Sequence, residues 1–200
     1  MDQSLLKPCT AFDGHRRLAV GALHEVAIAA RRAMGKKAAG PLLIFDDGTG
    51  QAIEIDNRGS DDDVLARLSS TTPKSEPASD EPRGRGRPKL GVVAREVTLL
   101  PRHWDWLNSQ PGGASVALRK LVDDARRTHA GKDQRRHAQE AAYAFMSAIA
   151  GDLPGFEEAT RALFANNPQR FTELVSAWPA DVASYARRLA FPEGIADVGV

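Results

Sequence analysis

The chain has 200 residues, of which 42% are hydrophobic and 26% charged, and its formal net charge is +1. This composition excludes a chain that is disordered throughout, and the length suffices for one medium domain or two to three small ones. The single cysteine, Cys9, excludes an internal disulfide framework, and the apolar runs are too short for a membrane span.

The N-terminus carries Asp2 and lacks an apolar stretch followed by a cleavage site, so a secretory signal is not expected. A lone cysteine suits a reducing compartment, and we therefore expect a cytoplasmic protein. Charge is unevenly spread. Residues 83–102 carry six cations and one carboxylate, a net charge of +5, whereas residues 151–200 carry four cations and seven carboxylates, a net charge of −3. A polyanion responds to such a local patch, which favours nucleic acid as a partner.

Residues 1–68 have the pattern of a small α+β domain. The segments CTAF and RRLAVG flank Asp13-Gly14, a dipeptide that favours a hairpin turn. Apolar residues then recur at helical spacing up to Met34, and Gly35 stands where a C-terminal glycine is expected. The sequence predicts a hairpin followed by one helix.

A second hairpin is predicted where Gly48-Thr49-Gly50 separates PLLIFDD from QAIEID. Ser60 and the aspartates that follow it begin a short helix, DDDVLARL. Three adjacent acids could hold a metal, but acids at the positive end of a helix dipole more often cap the helix. We therefore predict a capped helix there and no metal site.

Residues 69–91 lose this periodicity and are rich in proline, serine, glycine and charge, which predicts a flexible linker. Its last ten residues, PRGRGRPKLG, resemble the AT-hook, a short DNA-binding motif. A glycine between two arginines lets the backbone lie deep in a narrow A·T-rich minor groove, whose negative potential attracts the arginines. The alternative is a soluble basic linker. The predicted DNA-contacting residues of this segment are Arg83, Arg85, Gly86, Arg87, Pro88 and Lys89.

Residues 92–130 read as strand, short helix, turn and longer helix. VVAREVTLL is β-branched and alternating, Pro101 suits the first turn of a helix, and a second helix runs from Ser115 to Gly131. This order resembles the ribbon-helix-helix fold of the Arc and Met repressors. The resemblance implies a homodimer in which two strands pair into a ribbon that enters the major groove. The alternative is a helical hairpin docked on the C-terminal helices.

The strand alternation selects the face that would read DNA. With Val97 and Leu99 in the dimer core, Glu96 and Thr98 point outward. A threonine hydroxyl can contact a base or a phosphate, whereas a glutamate can only accept, for example from cytosine N4. This departs from the basic and amide readers usual in the fold, which also normally buries the leucine before the proline, here Leu100.

Residues 131–192 are predicted to form a C-terminal helical region, because four apolar-periodic segments are divided by glycine and prolines. Aromatic residues at helical spacing are typical of a core. The residues predicted to fill it are Tyr143, Phe145, Met146, Phe156, Leu163, Phe164, Phe171, Leu174, Trp178, Tyr185 and Leu189.

No enzyme signature stands out. The sequence has no GxSxG, HExxH or GxxxxGK[ST] motif. Cys9 has no defined base partner, and Asp46-Asp47 at a hairpin mouth suggests turn chemistry rather than paired catalytic acids. His129 and His137 are eight residues apart and lack the geometry of a shared metal. We predict no catalytic residue, metal or cofactor.

Three segments are distributed over nearly the whole length of the chain: TAFDGHRR, the stretch from GRGRPKLG to LVDDARR, and the helical tail. Together they resemble a bacterial family of unknown function, domain of unknown function 2239, which implies no established activity. The sequence predicts an α+β protein that binds DNA, most simply a transcriptional regulator. The alternative is an antitoxin-like adaptor whose C-terminal helices bind a protein partner.

Overall fold

The computed structural model describes residues 3–34, 40–70, 93 and 95–192. Two compact units are present, unit 1 with residues 1–73 and 131–200, and unit 2 with residues 74–130. None of the described helices combines the length and apolar character needed to cross a bilayer. The elements are a 3-10 helix (Gln3–Leu6), β1 (Pro8–Asp13), β2 (Arg16–Ala22), α1 (Leu23–Met34), β3 (Leu42–Asp46), α2 (Asp61–Ser70), α3 (Pro101–Ser109), α4 (Gly113–Ile149), α5 (Phe156–Phe164), α6 (Pro168–Val175) and α7 (Ala180–Ala190). The predicted α+β class is confirmed.

The sheet of unit 1 has three antiparallel strands in the order β2-β1-β3. The predicted hairpin between β1 and β2 is confirmed. Gly14 at its turn has φ of 58°, a backbone conformation that glycine adopts without a Cβ penalty. The hairpin register shifts between Ala11 and Phe12, which is a local bulge.

The second predicted hairpin is only partly formed. β3 ends at Asp46, and the segment QAIEID joins the sheet through a single bridge between Phe45 and Ala52. The predicted strand over 51–56 is therefore wrong. Its alternating apolar residues Ile53 and Ile55 pack against the core on the α1 side of the sheet, so the pattern is satisfied without a strand ladder.

The acidic start of α2 is a helix cap, as predicted. The Ser60 hydroxyl accepts a hydrogen bond from the Asp63 backbone N–H (3.2 Å), and the Asp63 carboxylate accepts one from the Ser60 N–H (2.7 Å). Asp61 instead pairs with Arg31 and Arg32 of α1. These ion pairs tie α2 to α1.

Both faces of the sheet are covered, which explains why β1 is buried along nearly its whole length. Side chains alternate across a strand, so Cys9 and Ala11 pack on the α1 side. Phe12 and Phe45 face the opposite way and join the core of the C-terminal helices.

The N-terminal sheet and the C-terminal helices therefore share one core, a feature that no local sequence signal indicates. Phe12, Phe45, Phe145 and Tyr185 form an aromatic cluster with ring centroids 4.5–5.9 Å apart. Edge-to-face pairs of this kind add to the energy of simple burial. Of the residues predicted to fill this core, most are buried or partly buried. Tyr143 and Phe164 are exposed and pack against each other in a tilted arrangement, with centroids 5.6 Å apart.

The predicted helix boundary at Gly131 is wrong, because α4 is one helix of 37 residues from Gly113 to Ile149. A glycine inside a helix costs about 1 kcal/mol but, unlike proline, keeps its N–H and creates no clash. The surrounding helix formers outweigh that cost.

Unit 2 contains α3, the first part of α4 and residues 95–100. Pro101 occupies the first turn of α3, as predicted, and Gly112 and Gly113 have φ of 88° and 74° at the turn before α4. Residue 93 and residues 95–100 have no regular secondary structure, so the predicted strand is not formed within one chain. The described part of unit 2 contains no neighbouring strand, and an unpaired strand leaves its backbone groups without partners.

Candidate functional site

The residues predicted to contact DNA divide into two groups. Arg83, Arg85, Gly86, Arg87, Pro88 and Lys89 lie outside the described residues. Glu96 and Thr98 are described, and both side chains are exposed in unit 2. Residues 95–100 form no strand within one chain, and the DNA-contacting role of all these residues remains a prediction.

A polar cluster that the sequence did not indicate lies in unit 1, where β1 and the turn after β3 meet α7. Asp47 is its centre. One carboxylate oxygen, Oδ1, accepts hydrogen bonds from the hydroxyls of Thr10 (2.7 Å) and Tyr185 (2.8 Å). The other, Oδ2, accepts one from the Arg188 guanidinium (2.9 Å). Three donors on one carboxylate offset its charge and fix its position.

Burial shapes the chemistry of this cluster. The Tyr185 side chain is fully buried, and burial together with the neighbouring Asp47 carboxylate raises its pKa well above the ordinary value. The phenol is therefore held as a neutral donor. The Arg188 guanidinium also lies over the Tyr185 ring, 4.7 Å from its centroid, in a cation–π contact.

Asp46 points to a different set of partners. Its carboxylate accepts hydrogen bonds from the Gly48 N–H (2.7 Å) and the Thr49 hydroxyl (3.0 Å), and it forms an ion pair with Lys7. Burial alone raises the pKa of Asp46, but the hydrogen bonds from Lys7, Gly48 and Thr49 outweigh it, so the pKa lies below its usual range. This carboxylate is ionised and holds the turn.

The interpretation of Asp46-Asp47 as turn chemistry is thus confirmed for Asp46 and wrong for Asp47. Asp46 is the last residue of β3 and Asp47 follows it, but only the Asp46 side chain bonds to the turn after β3. Asp47 accepts a hydrogen bond from the hydroxyl of Tyr185, which lies 138 residues further along the chain. No local pattern could identify Tyr185 as the partner. Two adjacent acids at the end of an apolar strand, Asp46 and Asp47, could indicate only that polar partners lie nearby.

The cluster is built to hold the fold together rather than to transfer a proton. The Asp47 carboxylate already accepts three hydrogen bonds, and Tyr185 is held neutral, so neither is free as a base. The thiol of Cys9 is buried in the sheet beside the two acids. Within the described residues, no group of three or more His, Cys, Asp or Glu side chains could hold a metal ion.

Replacing Asp47 should cost substantial stability. In Asp47→Ala, the buried hydroxyls of Thr10 and Tyr185 and the guanidinium of Arg188 lose their common acceptor. We expect a loss of about 2–4 kcal/mol in the free energy of unfolding, measured by urea denaturation. The matched control is Asp62→Ala, which removes an exposed acid from the first turn of α2 and should cost less than about 1 kcal/mol. Equal losses in the two variants would contradict a central role for Asp47.

Cys9 should be unreactive in the folded protein. Burial, followed by the charges of Asp46 and Asp47, raises the pKa of its thiol to about 11. Because this folded-state pKa lies above that of the unfolded chain, the thiol's contribution to stability is complete below about pH 8.5 and is lost as the pH rises toward 11.

We therefore expect iodoacetamide at about pH 8 to alkylate Cys9 at least about a hundredfold more slowly in the native protein than in urea, by mass spectrometry. The urea-unfolded chain is the control for reagent activity. Rapid alkylation of the native protein would show instead that the thiol is accessible and ionised.

No curated protein and no solved structure matches the chain. A model of one bacterial family does match, over residues 8–190, and it covers the three-stranded sheet and the helices α1 to α7. The chain belongs to this family, described as an uncharacterized protein conserved in bacteria (DUF2239).

Proposed function

We propose that this protein is a non-enzymatic, cytoplasmic DNA-binding protein, a transcriptional regulator that acts as a homodimer through unit 2. The observation that carries the proposal is an uncovered apolar surface in the same unit that carries the basic excess of the chain. The first property favours association with a second copy, and the second favours a polyanionic ligand.

The described part of unit 2 has little core of its own. Among its described residues, the only buried hydrophobic side chains are Leu107 and Ala117. Six larger apolar side chains are each at least 46% exposed: Val93, Val97, Leu100, Trp106, Leu121 and Val122. The described part of unit 2, with so few buried side chains, gains stability from further burial. A partner that covers this surface would supply it.

A second copy of the chain is the partner that fits residues 95–100. Pairing this segment with the same segment of another copy would give its backbone groups partners and cover Val97. Glu96 and Thr98 would then lie on the opposite face of the ribbon, toward the major groove. This is the arrangement that the resemblance to ribbon-helix-helix repressors implies.

The charge of the proposed contact region supports a nucleic-acid ligand. Residues 83–130 contain ten cations and four carboxylates, a net charge of +6 in a chain whose total is +1. Cations that neutralise phosphates release counterions, so affinity falls steeply with salt. The arm around Gly86 would add a preference for A·T-rich minor grooves.

Fluorescence anisotropy of the full chain tests the proposal. One A·T-rich and one G·C-rich duplex are titrated at two salt concentrations. We expect tighter binding to the A·T-rich duplex and a steep loss of affinity at the higher salt. Absence of binding to both duplexes at low salt would overturn the proposal.

Analytical ultracentrifugation tests the dimer. We expect the full chain to sediment as a dimer at micromolar concentration and Val97→Glu to sediment as a folded monomer that binds DNA more weakly. Val20→Glu is the matched control, because Val20 lies in unit 1 and is 53% exposed, as Val97 is. A wild-type monomer would remove the ribbon and leave only the basic arm to bind DNA.

One observation favours the adaptor function as a second candidate. The ring pair of Tyr143 and Phe164 is exposed on α4 and α5, in the helical region that would bind a protein partner. Exposed aromatic side chains are enriched at protein interfaces. A pull-down that recovers one stoichiometric protein, unchanged by nuclease, together with no binding to either duplex, would favour the adaptor.

A further inference from the structure

A cleft of about 300 Å3 lies in unit 1 beside the Asp47 cluster. Its walls come from the turn after β3, the second half of α4 and the end of α7. The polar lining residues are Asp47, Gln134, His137 and Arg188, and the apolar lining includes Ala141 and Leu189. A concave, mainly apolar site with a few convergent polar groups is the usual form of a small-molecule site.

Arg188 is the strongest ligand-binding group in this cleft. Its side chain is 48% exposed, although one nitrogen, Nη2, is engaged by Asp47 and Thr10. Its Nε and Nη1 atoms have no hydrogen-bond partner among the described residues. The contact with Asp47 holds the guanidinium in place, so it is positioned before a ligand arrives. Nε and Nη1 lie on different edges of the guanidinium, so each can donate a single hydrogen bond to a carboxylate oxygen.

The Asp47 carboxylate also lines the cleft and is paired with Arg188, so the two side chains together carry no net charge. Hydrogen bonds from the hydroxyls of Thr10 and Tyr185 to its Oδ1 atom reduce its repulsion of a nearby anion. Two further polar side chains, Gln134 and His137, are exposed on α4 one turn apart and line the same cleft. Both can donate hydrogen bonds to an oxygen that Arg188 holds.

We propose that this cleft binds a small organic monocarboxylate, with the carboxylate on Arg188 and the hydrocarbon body against Ala141 and Leu189. Since Arg188 and Asp47 together carry no net charge, a single negative charge is held by hydrogen bonds from Arg188, Gln134 and His137. A phosphate dianion would bring a second charge that no further cation in the cleft lining offsets. The assignment is independent of DNA binding, since every residue that it uses lies in unit 1.

Isothermal titration calorimetry of the full chain tests the site with straight-chain monocarboxylates from acetate to octanoate. The matched controls are the primary amides of the same chain lengths, which keep the hydrocarbon and lose the charge. Inorganic phosphate is a second control, which tests whether the cleft prefers a different anion. We expect affinity to rise with chain length until the cleft is filled, and the amides to bind about tenfold or more weakly. Equal binding of acids and amides, tighter binding of phosphate, or no binding of any acid would overturn the proposal.

Variants locate the binding. Arg188→Gln should weaken carboxylate binding about tenfold or more, whereas Arg187→Gln, its exposed neighbour on α7, should leave it unchanged. Since Arg188 also holds Asp47, the double variant Gln134→Ala/His137→Ala provides a test in exposed positions that do not support the fold. It should weaken binding several-fold with an unchanged melting temperature. Equal affinity in all variants and the wild type would place the carboxylate elsewhere.

Discussion

Gly50→Ala is expected to lower the free energy of unfolding by about 3 kcal/mol or more. Gly50 has φ of 64°, a conformation that costs an alanine about 1–2 kcal/mol. A Cβ at this position would also lie 1.8 Å from the carbonyl oxygen of Ala141 in α4, far inside any real contact. That oxygen belongs to a helix backbone and cannot rotate away, so the turn or the helix would have to move.

Gly131→Ala is the control for this experiment. Gly131 lies inside α4, and nothing lies within 4 Å of the position that its Cβ would occupy. Replacing a glycine in a helix by alanine should raise stability by about 0.5–1 kcal/mol. Urea denaturation measures both changes. If Gly50→Ala were as stable as the wild type, the close contact between the turn and α4 would not exist in solution.

The close approach of Gly50 to Ala141 joins residues far apart in the chain, and the sequence could not predict it. The features that the sequence could predict are local. The hairpin at Asp13-Gly14, the cap of α2 and the start of α3 at Pro101 are set by residues close together in the chain. Local turn and cap chemistry is sufficient for such features. Their prediction required no knowledge of the rest of the molecule.

The remaining features depend on residues far apart in the chain. Phe12 and Phe45 pack against Phe145, although unit 2 separates these segments in the sequence. Sequence periodicity indicates only that one face of each strand or helix is apolar, and it does not identify the face that packs against it. The same holds for Asp47, whose partner Tyr185 is 138 residues away. α4 continues through Gly131 because the sum of many helix-favouring residues exceeds one local cost.

The predicted DNA-contacting residues differ in how they were inferred. Arg85, Gly86 and Arg87 were recognised as a linear motif, in which all the determinants are adjacent in sequence. Glu96 and Thr98 were assigned from strand alternation, which has meaning only when a partner strand exists. Because residues 95–100 form no strand within one chain, their outward orientation is a property of the proposed dimer.

Arg85→Ala/Arg87→Ala is expected to weaken DNA binding and to reduce specifically the preference for A·T-rich duplexes. The double variant removes the two cations beside Gly86 and changes none of the residues that the structure describes. Losing two charge contacts should also flatten the log–log dependence of affinity on salt by about two units. Fluorescence anisotropy across a salt series measures both effects.

The matched control is Arg161→Ala/Arg170→Ala, which removes the same charge from exposed positions on α5 and α6. Its A·T preference and salt slope should equal those of the wild type. Thr98→Ala should instead change the preference among major-groove sequences with an unchanged salt slope, because it removes a hydroxyl and no charge. If the two arginine pairs had equal effects, only net charge would matter and the AT-hook assignment would fail. If Thr98→Ala left every sequence preference intact, the ribbon would not read bases.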